Sequence, residues 1–245
     1  MRILMTGGTG RLGSELRSIL PNVDAPDRRA MDVTDQANVL DYVRRAAPAV
    51  VLHLAAYTDV KGAEAKRQRC WDVNVGGTRH IVRAAQKVGA HLVHVSSDYV
   101  FAGDRGGYEE DDPLGPPANH YALTKLVSEE VARVASACLV IRTSFRPRSW
   151  PYPTAFTDVY TSQDYVDVIA PLIARAVRHL DRIPYETLHI ATERKTIYEL
   201  ARRRSPDVQP ATSEQAGVRY PRDVSLSTSR WEALRAAWEP TGAAP

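Results

Sequence analysis

Two short segments hold residues that are able to do proton chemistry. Tyr121 and Lys125, in the segment YALTK, are four positions apart, so on a helix their side chains share one face. A phenol has a pKa of about 10 and exchanges protons poorly at neutral pH, but a neighbouring ammonium favours the phenolate. Ser97 ends the apolar run HLVHVSS. We therefore predict a proton-transfer site in which Lys125 lowers the pKa of Tyr121 and Ser97 hydrogen-bonds a substrate oxygen.

A glycine-rich turn near the N-terminus offers a second binding feature. Residues 6–13 read TGGTGRLG and stand between the apolar run RILMT and an amphipathic segment. Small residues there permit a tight strand-to-helix turn, and they let backbone N–H groups approach a pyrophosphate. The predicted dinucleotide contacts in this turn are Gly7, Gly10, Arg11, Leu12 and Gly13.

The type of dinucleotide depends on the acidic residues that follow the turn by about 20 positions, where a ribose contact is expected. The candidates are Asp24, Asp27 and Asp32. Arg28 and Arg29 directly follow Asp27 and are able to neutralise a 2′-phosphate, whereas Asp32 and Val33 suit the edge of an adenine. NADP and NAD therefore both stay open as cofactors. For Asp35 we predict helix capping instead.

Short apolar runs alternate with amphipathic segments over the first two-thirds of the chain. The runs are RILMT, VVLHLAA, HLVHVSS and CLVIRTS, and helical patterns occupy residues 11–20, 41–47, 71–88 and 121–135. Such alternation predicts an α/β protein built from βαβ units around a parallel sheet, with strands covered on both faces. Farther on we predict a helix over 164–179, a strand over 187–191 and a helix over 192–204 opened by a hydroxyl cap.

The composition sets further limits. A chain of 245 residues with 44% hydrophobic content has room for one large domain with a small appendage. The net charge of +3 is too small to favour a nucleic-acid partner. Cys70 and Cys138 lack the spacing of metal ligands, so we expect reduced packing residues and no metal site. No apolar stretch approaches the roughly 18 residues of a membrane span, which predicts a cytoplasmic protein without a membrane partner.

A change of composition after Ser144 marks the predicted domain boundary. Pro147, Pro151 and Pro153 prevent a continuing helix there. We expect a dinucleotide-binding core in residues 1–145 and a reduced substrate-binding portion in residues 146–245, of which 164–191 completes the core.

The motifs, taken together and in order, resemble the extended short-chain dehydrogenase/reductase superfamily, and more closely its dTDP-4-dehydrorhamnose reductase-like branch. They are TGGTGRLG, DVTD, HLAAYTDV, DVNVGGT, VHVSSDYVFAG, YEEDDP, YALTK, RTS and PRDVSLSTSRWEAL. The resemblance implies a Rossmann-like, doubly wound parallel sheet and a reduced NADP or NAD cofactor. It also implies reduction of a keto group on a nucleotide-linked sugar, and a homodimer.

The resemblance also implies roles for single residues. Ser97, which directly precedes Asp98, resembles the hydroxyl that polarises the carbonyl, Tyr121 the proton donor, and Lys125 the residue that lowers the tyrosine pKa and binds the nicotinamide ribose. Besides Tyr121 and Lys125, the implied cofactor contacts are Ala55, Ala56, Tyr57 and Asn74. The expected substrate contacts are Thr58, Ser97, Asp98, Tyr99, Arg146 and Trp150. For Asn74 an equally supported role is that of a buried amide that satisfies backbone groups.

Two features bear on the reaction and the substrate. Tyr99 stands where the related 4,6-dehydratases typically have a Glu, which favours carbonyl reduction, while an epimerase and a non-catalytic nucleotide-binding protein both stay possible. The segment between Ser144 and Tyr165 is shorter than is typical of the branch. It carries Arg146, Arg148, Trp150, Tyr152 and Tyr160, which either grip a pyrophosphate and stack on a base or pack a short loop onto the core.

Overall fold

The computed structural model of the chain describes residues 1–215 and 221–238. Residues 216–220 and 239–245, within the predicted C-terminal portion, lie outside the described part. The strands are β1 Ile3–Thr6, β2 Val23–Asp24, β3 Val50–His53, β4 His91–Ser97, β5 Cys138–Thr143, β6 Phe145–Arg146, β7 Thr154–Phe156, β8 Tyr160–Thr161, β9 Asp164–Tyr165, β10 Thr187–His189, β11 Lys195–Thr196 and β12 Gln209–Ala211. The helices are α1 Arg11–Ile19, α2 Gln36–Ala46, α3 Val60–Ala65, α4 Arg67–Trp71, α5 Gly77–Val88, α6 His120–Ala132, α7 Val166–Arg178, α8 Ile197–Arg202 and α9 Ser229–Trp238.

The main sheet is parallel and has a topological switch point. Within the described residues its six strands follow the order β2-β1-β3-β4-β5-β10. The chain passes from β1 outward to β2 and then crosses to β3 on the other side of β1, so Thr6 and His53 end neighbouring strands in register. In such sheets a ligand crevice opens at the carboxyl ends of the strands on either side of this reversal.

Both faces of the sheet are covered, as the unbroken apolar runs predict. Every residue of β1 and β3 is buried. Ile3 and Met5 pack in one cluster with buried side chains of α1, α7 and α9, whereas Leu4 packs in another with α2 and α5. Because successive strand residues point to opposite faces, this division places a helical layer on each side of the sheet. The predicted α/β, Rossmann-like, doubly wound fold is confirmed.

Several predicted helices have different bounds in the structure. The pattern over 71–88 is one helical stretch that begins earlier, with α4, and contains a π-helical turn over Asp72–Gly76 before α5. The helix predicted over 192–204 is wrong at its start, since α8 begins only at Ile197. Thr196 caps α8 and forms a capping box with Glu199. This motif satisfies two backbone N–H groups and outweighs Thr192 as a start signal.

Helix α2 begins at Gln36, earlier than the pattern over 41–47 indicates, and the predicted cap at its start is confirmed. The side chain of Asp35 accepts a hydrogen bond from the Asn38 N–H. This bond satisfies one of the backbone donors that the first turn of a helix leaves unpaired.

The chain after Ser144 contributes to both the core and a smaller outer part. Strand β10 pairs with β5 at the edge of the main sheet, and α7 packs against α1. Trp231 and Leu234 of α9 belong to the same hydrophobic cluster. The proline-rich residues 146–161 form short strands with β11 and β12 instead. Among the helices of residues 1–215 and 221–238, none has the length and apolar character needed to cross a bilayer.

Candidate functional site

A cleft of about 1060 Å³ opens at the carboxyl ends of the strands and is called the main cleft below. Its walls are the glycine turn, the loop after β3, the end of β4, the start of α6 and parts of the segment 143–163. The predicted site residues among its lining are Gly7, Gly10, Arg11, Leu12, Gly13, Arg28, Asp32, Val33, Ala55, Ala56, Tyr57, Thr58, Ser97, Asp98, Tyr99, Tyr121, Lys125, Arg146 and Trp150. Asp27 and Asn74 lie outside this lining.

The glycine turn has the geometry of a dinucleotide cradle. Gly7 has a φ of +69°, and a Cβ there would lie 2.8 Å from the backbone nitrogen of Ala55. A Cβ on Gly13 would lie 2.3 Å from the carbonyl oxygen of Gly7. Among the described residues, no side chain caps the N-terminus of α1, which begins after Gly10. Glycine at these two positions therefore lets the turn fold closely against Ala55 and α1, and the first amides of α1 have no side-chain cap, which fits a pyrophosphate.

The acidic residues after the turn have different environments. Asp27 Oδ1 accepts the N–H groups of Arg29 and Ala30, both at 2.9 Å, so its carboxylate holds a turn outside the lining of the main cleft. Asp24 Oδ1 accepts the Tyr42 hydroxyl at 3.0 Å. Asp32 does line the main cleft, and its Oδ2 lies 3.0 Å from Nε of Arg28. Of the acidic candidates, Asp32 has the placement for an adenosine contact, with Arg28 beside it.

Ser97, Asp98 and Tyr121 form the buried centre of the site. The Ser97 hydroxyl donates to Asp98 Oδ1 at 3.1 Å and accepts the Tyr99 N–H at 3.2 Å. Tyr121 is only 8% exposed and stacks edge-on against Tyr99. The neighbouring Ser96 hydroxyl instead donates to Glu129 at 2.8 Å. The two adjacent serines thus have separate partners, and Ser97 is the one bonded to groups of the site.

The pKa of Tyr121 differs from the prediction. Burial raises it well above the ordinary value, and the negative charge of Asp98 raises it further, while a hydrogen bond with Ser97 acts in the opposite direction. The expectation that Tyr121 has a lowered pKa is therefore wrong for the chain by itself. A phenol in this environment keeps its proton at neutral pH.

Lys125 is held by the strand that carries Ser97. Its Nζ donates to the carbonyl oxygen of Val95 at 2.9 Å, and its side chain is buried. Burial lowers the pKa of Lys125 to about 8, while the Glu129 carboxylate one turn farther along α6 raises it. Tyr121, Lys125 and Glu129 occupy successive turns of α6, as the four-residue spacing predicts.

Asp98 is the most perturbed carboxyl of the site. Burial raises the pKa of Asp98 to about 6, against hydrogen bonds from Ser97 and Ser144 and the charge of Arg146. Ser144 is a residue that the sequence analysis missed as part of the site. Its position in the sequence could have indicated this role. Ser144 directly follows Thr143, which pairs with Ser97 at the carboxyl ends of neighbouring strands.

Asn74 holds the loop after β3 in place. Its Oδ1 accepts the Tyr57 N–H at 2.7 Å, and its Nδ2 donates to the Thr124 hydroxyl at 2.9 Å. Of the two roles considered for Asn74, these contacts are those of the buried amide, which satisfies backbone groups of the loop. It does so from behind the wall of the main cleft.

The far end of the main cleft is basic and aromatic. The guanidinium of Arg146 lies 5.4 Å from the ring centroid of Trp150. In the described residues, Arg146 Nε and Trp150 Nε1 are buried without a hydrogen-bond partner. Tyr152 and Tyr160 also line this end, whereas Arg148 lies outside the lining and pairs with Glu15 on α1 through two bonds of 2.7 and 2.8 Å.

Fold and main cleft together resemble those of the extended short-chain dehydrogenase/reductases, because a glycine turn at the switch point of a parallel sheet and a Ser, Tyr and Lys group line one cleft. Residues 1–147, more than half of the chain, match the family described as "RmlD substrate binding domain". The chain belongs to this family.

Similar proteins of known sequence are named as reductases. A dTDP-4-dehydrorhamnose reductase of Mycobacterium tuberculosis is 37% identical over 184 residues, which cover 71% of this chain and 56% of that protein. One from Streptomyces griseus is 42% identical over 133 residues, covering 52% of this chain and 43% of the relative. The chain thus spans about half the length of the curated relatives it matches.

Solved structures match over almost the whole chain. The dTDP-4-dehydrorhamnose reductase of Bacillus anthracis, in complex with NADP, has a TM-score of 0.83 at 26% identity and covers 96% of this chain and 97% of its own. The UDP-glucose 4-epimerase of Thermus thermophilus, in complex with NAD, has a TM-score of 0.72 at 20% identity and covers 100% of this chain and 95% of its own. At that lower identity the likeness concerns the fold alone.

Proposed function

We propose that this chain is an NADPH-dependent reductase of a keto group on a nucleotide-linked sugar, like the dTDP-4-dehydrorhamnose reductases it resembles. The observation that carries the proposal is that one cleft joins the glycine turn to Ser97, Tyr121 and Lys125. The names of the relatives and the NADP in the Bacillus anthracis structure support the choice of reaction and cofactor.

The cofactor is held by this chain's turn and by the residues beside it. The amides at the start of α1, after the turn from Gly7 to Gly10, would bind the pyrophosphate. Arg28, whose side chain is 66% exposed at the edge of the main cleft, would bind a 2′-phosphate. Bound NADPH supplies the hydride.

Proton delivery falls to Tyr121. Because burial and Asp98 raise its pKa, the phenol holds its proton until a strongly basic oxygen forms beside it. Ser97 donates a hydrogen bond to that oxygen as negative charge develops. Lys125, fixed by Val95, holds a positive charge near the ribose and opposes the negative charge left on the phenol.

The basic and aromatic end of the main cleft suits the nucleotide part of the substrate. Arg146 lines this end, and its guanidinium would suit the charge of a pyrophosphate. Trp150 offers a ring for a base. Thr58, Asp98 and Tyr99 line the part between these groups and the phenol, where the sugar would lie.

We infer the same division of the chain as the sequence indicates, with 1–145 as the dinucleotide-binding core and 146–245 as the reduced substrate-binding portion. Residues 164–191 complete the core, which the pairing of β10 with β5 supports. The packing of Trp231 in the main hydrophobic cluster supports the inclusion of α9 in this core.

A mass-spectrometric screen tests the function. The purified chain is incubated with NADPH or NADH and a panel of 4-keto nucleotide sugars and simple ketones. A product heavier than its nucleotide-sugar substrate by two hydrogens supports the reductase. Three results contradict the proposal. A product of unchanged mass identifies an epimerase, and turnover of simple ketones alone excludes a nucleotide sugar as the substrate. Cofactor binding without any turnover identifies a binding protein.

A further inference from the structure

A line of hydrogen bonds runs from Thr6, in the wall of the main cleft, through His53, Thr78, Asn74 and Thr124, which lie behind that wall; it is called the Thr6–Thr124 chain below. At its first end, Thr6 of β1 holds the loop after β3. The Thr6 hydroxyl oxygen accepts the N–H groups of Leu54 at 3.1 Å and Ala55 at 3.0 Å. It also lies 2.7 Å from Nδ1 of His53.

Counting donors and acceptors fixes the direction of this first part. Two backbone N–H groups occupy the acceptor sites of the Thr6 oxygen, so its proton is donated to Nδ1 of His53. Burial lowers the pKa of His53 to about 3, so the ring is neutral and carries its proton on Nε2. Nε2 donates to the Thr78 hydroxyl at 3.1 Å, and that hydroxyl donates to the carbonyl oxygen of Asn74 at 2.6 Å.

The second part reaches the helix that carries the phenol. The side-chain amide of Asn74 donates to the Thr124 hydroxyl at 2.9 Å, and Thr124 donates to the carbonyl oxygen of Tyr121 at 2.8 Å. Asn74 sits in the π-helical turn, where the Gly77 N–H bonds to the carbonyl oxygen of Asp72. Such turns rearrange the backbone hydrogen bonds of a helix and occur often at functional sites.

Both ends of the Thr6–Thr124 chain are parts of the site. Ala55, at one end, lies so close to the glycine turn that a Cβ on Gly7 would strike its nitrogen. Tyr121, at the other end, is the proposed proton donor. Between them His53, Thr78 and Thr124 are fully buried and lie outside the lining of the main cleft. Their polar groups therefore act on the site through their neighbours.

We propose that His53 and Thr78 are positioning residues that fix the loop carrying Ala55 relative to the phenol of Tyr121. The inference rests on the proposed reductase function for its effect on turnover. Because hydride and proton transfer each need close alignment, a small displacement between these two walls slows the reaction more than it weakens cofactor binding.

A matched pair at Thr78 tests this role. Thr78→Val keeps the shape and removes the hydroxyl, whereas Thr78→Ser keeps the hydroxyl. We expect Thr78→Val to lower kcat about tenfold with the NADPH Kd within about threefold of wild type, and Thr78→Ser to retain most of kcat. If Thr78→Val does not fold, Thr124→Val breaks the far end of the same chain. Unchanged kcat in folded variants that lack the hydroxyl overturns the proposal.

Nuclear magnetic resonance tests the chain without turnover, so its result stands apart from the success of the proposed function. With ¹³Cζ-labelled tyrosine, the Tyr121 signal is assigned from Tyr121→Phe. We expect Thr78→Val to shift this signal and Thr78→Ser to leave it in place, with the signal of exposed Tyr185 as the internal control. Imidazole ¹⁵N shifts must show His53 protonated on Nε2. The inference is contradicted if His53 carries its proton on Nδ1, or if Thr78→Val leaves the chemical shift of Tyr121 unchanged, even if the wild type is an active reductase.

Discussion

The ammonium of Lys125 donates a hydrogen bond to the carbonyl oxygen of Val95, with 2.9 Å between Nζ and O. Val95 lies on β4 two residues before Ser97, so this bond ties the helix of the phenol to the strand of the hydroxyl. Lys125 thereby has a fixed place relative to both proposed catalytic groups, and burial keeps its pKa at about 8.

Replacing Lys125 removes this tie together with the charge. We expect Lys125→Met to lower kcat/KM about 100-fold, because the buried side chain no longer stabilises charge on the phenol and no longer approaches the ribose. Steady-state kinetics with NADPH as the varied substrate measure the effect. The matched control is Lys87→Met on the outer face of α5, which should behave as wild type; equal losses in both variants would refute a role for this particular ammonium.

The phenol itself is tested by removing one oxygen. Tyr121→Phe should reduce kcat by about 10²-fold or more, because proton delivery is lost. The NADPH Kd should stay within about threefold, since the amides of α1 and not the phenol bind the pyrophosphate. Fluorescence titration gives the Kd and single-turnover kinetics give the rate. An active Tyr121→Phe variant would require another proton donor.

Asp98 gives a prediction for stability against pH. Its pKa rises from 3.8 in its ordinary environment to about 6 in the folded chain, so the folded state binds the proton more tightly than the unfolded state does. The stability that this proton contributes is fully present below about pH 4 and is lost as the pH rises through about 6. The difference in pKa corresponds to at most about 3 kcal/mol.

Asp98→Asn removes this titration. Compared with wild type, the free energy of unfolding of the variant should therefore increase as the pH is raised from about 4 to about 7. Urea unfolding of both proteins at each pH measures the change. If the difference in the free energy of unfolding between the two proteins does not vary with pH, burial does not raise the pKa of Asp98.

The scaffold of this site could be predicted from the sequence, but its electrostatics could not. Gly7 and Gly13 follow an apolar run and precede a helical pattern, which is local information, and Tyr121 and Lys125 share a helix face by spacing alone. The pKa of Tyr121 depends on burial and on Asp98, which is distant in sequence, so its direction was predicted wrongly. Ser144 was missed because its contact with Asp98 requires the register of β4 and β5.

Arg28 should decide between the two dinucleotides. Arg28→Gln removes the guanidinium that we assign to a 2′-phosphate, so the NADPH Kd should rise about tenfold or more while the NADH Kd changes less than threefold. Titration with each cofactor measures the ratio. Arg29→Gln, at the next position, is the control and should keep the wild-type ratio. An equal loss of affinity for NADH and NADPH would show that Arg28 does not contact the 2′-phosphate.

The glycine turn can be tested by adding one methyl group. Gly13→Ala places a Cβ 2.3 Å from the carbonyl oxygen of Gly7, so the turn must move and we expect at least a tenfold loss of NADPH affinity. Gly76→Ala is the matched control, because its Cβ would have no contact closer than 4.0 Å and its φ is −59°. Circular dichroism confirms folding of both. If Gly13→Ala binds NADPH with wild-type affinity, the glycine turn does not take part in cofactor binding.

Isotope transfer tests the central claim most directly. The claim is that a sugar carbonyl is reduced in the main cleft with hydride from NADPH and a proton from Tyr121. The chain is incubated with a dTDP-4-keto-6-deoxy sugar and NADPH that carries deuterium at the transferable position of C4. The account predicts a dTDP-sugar alcohol that contains one deuterium on the former carbonyl carbon, formed by Tyr121→Phe about 10²-fold more slowly than by wild type, or slower still. A product without deuterium, or one formed equally by Tyr121→Phe, would contradict it.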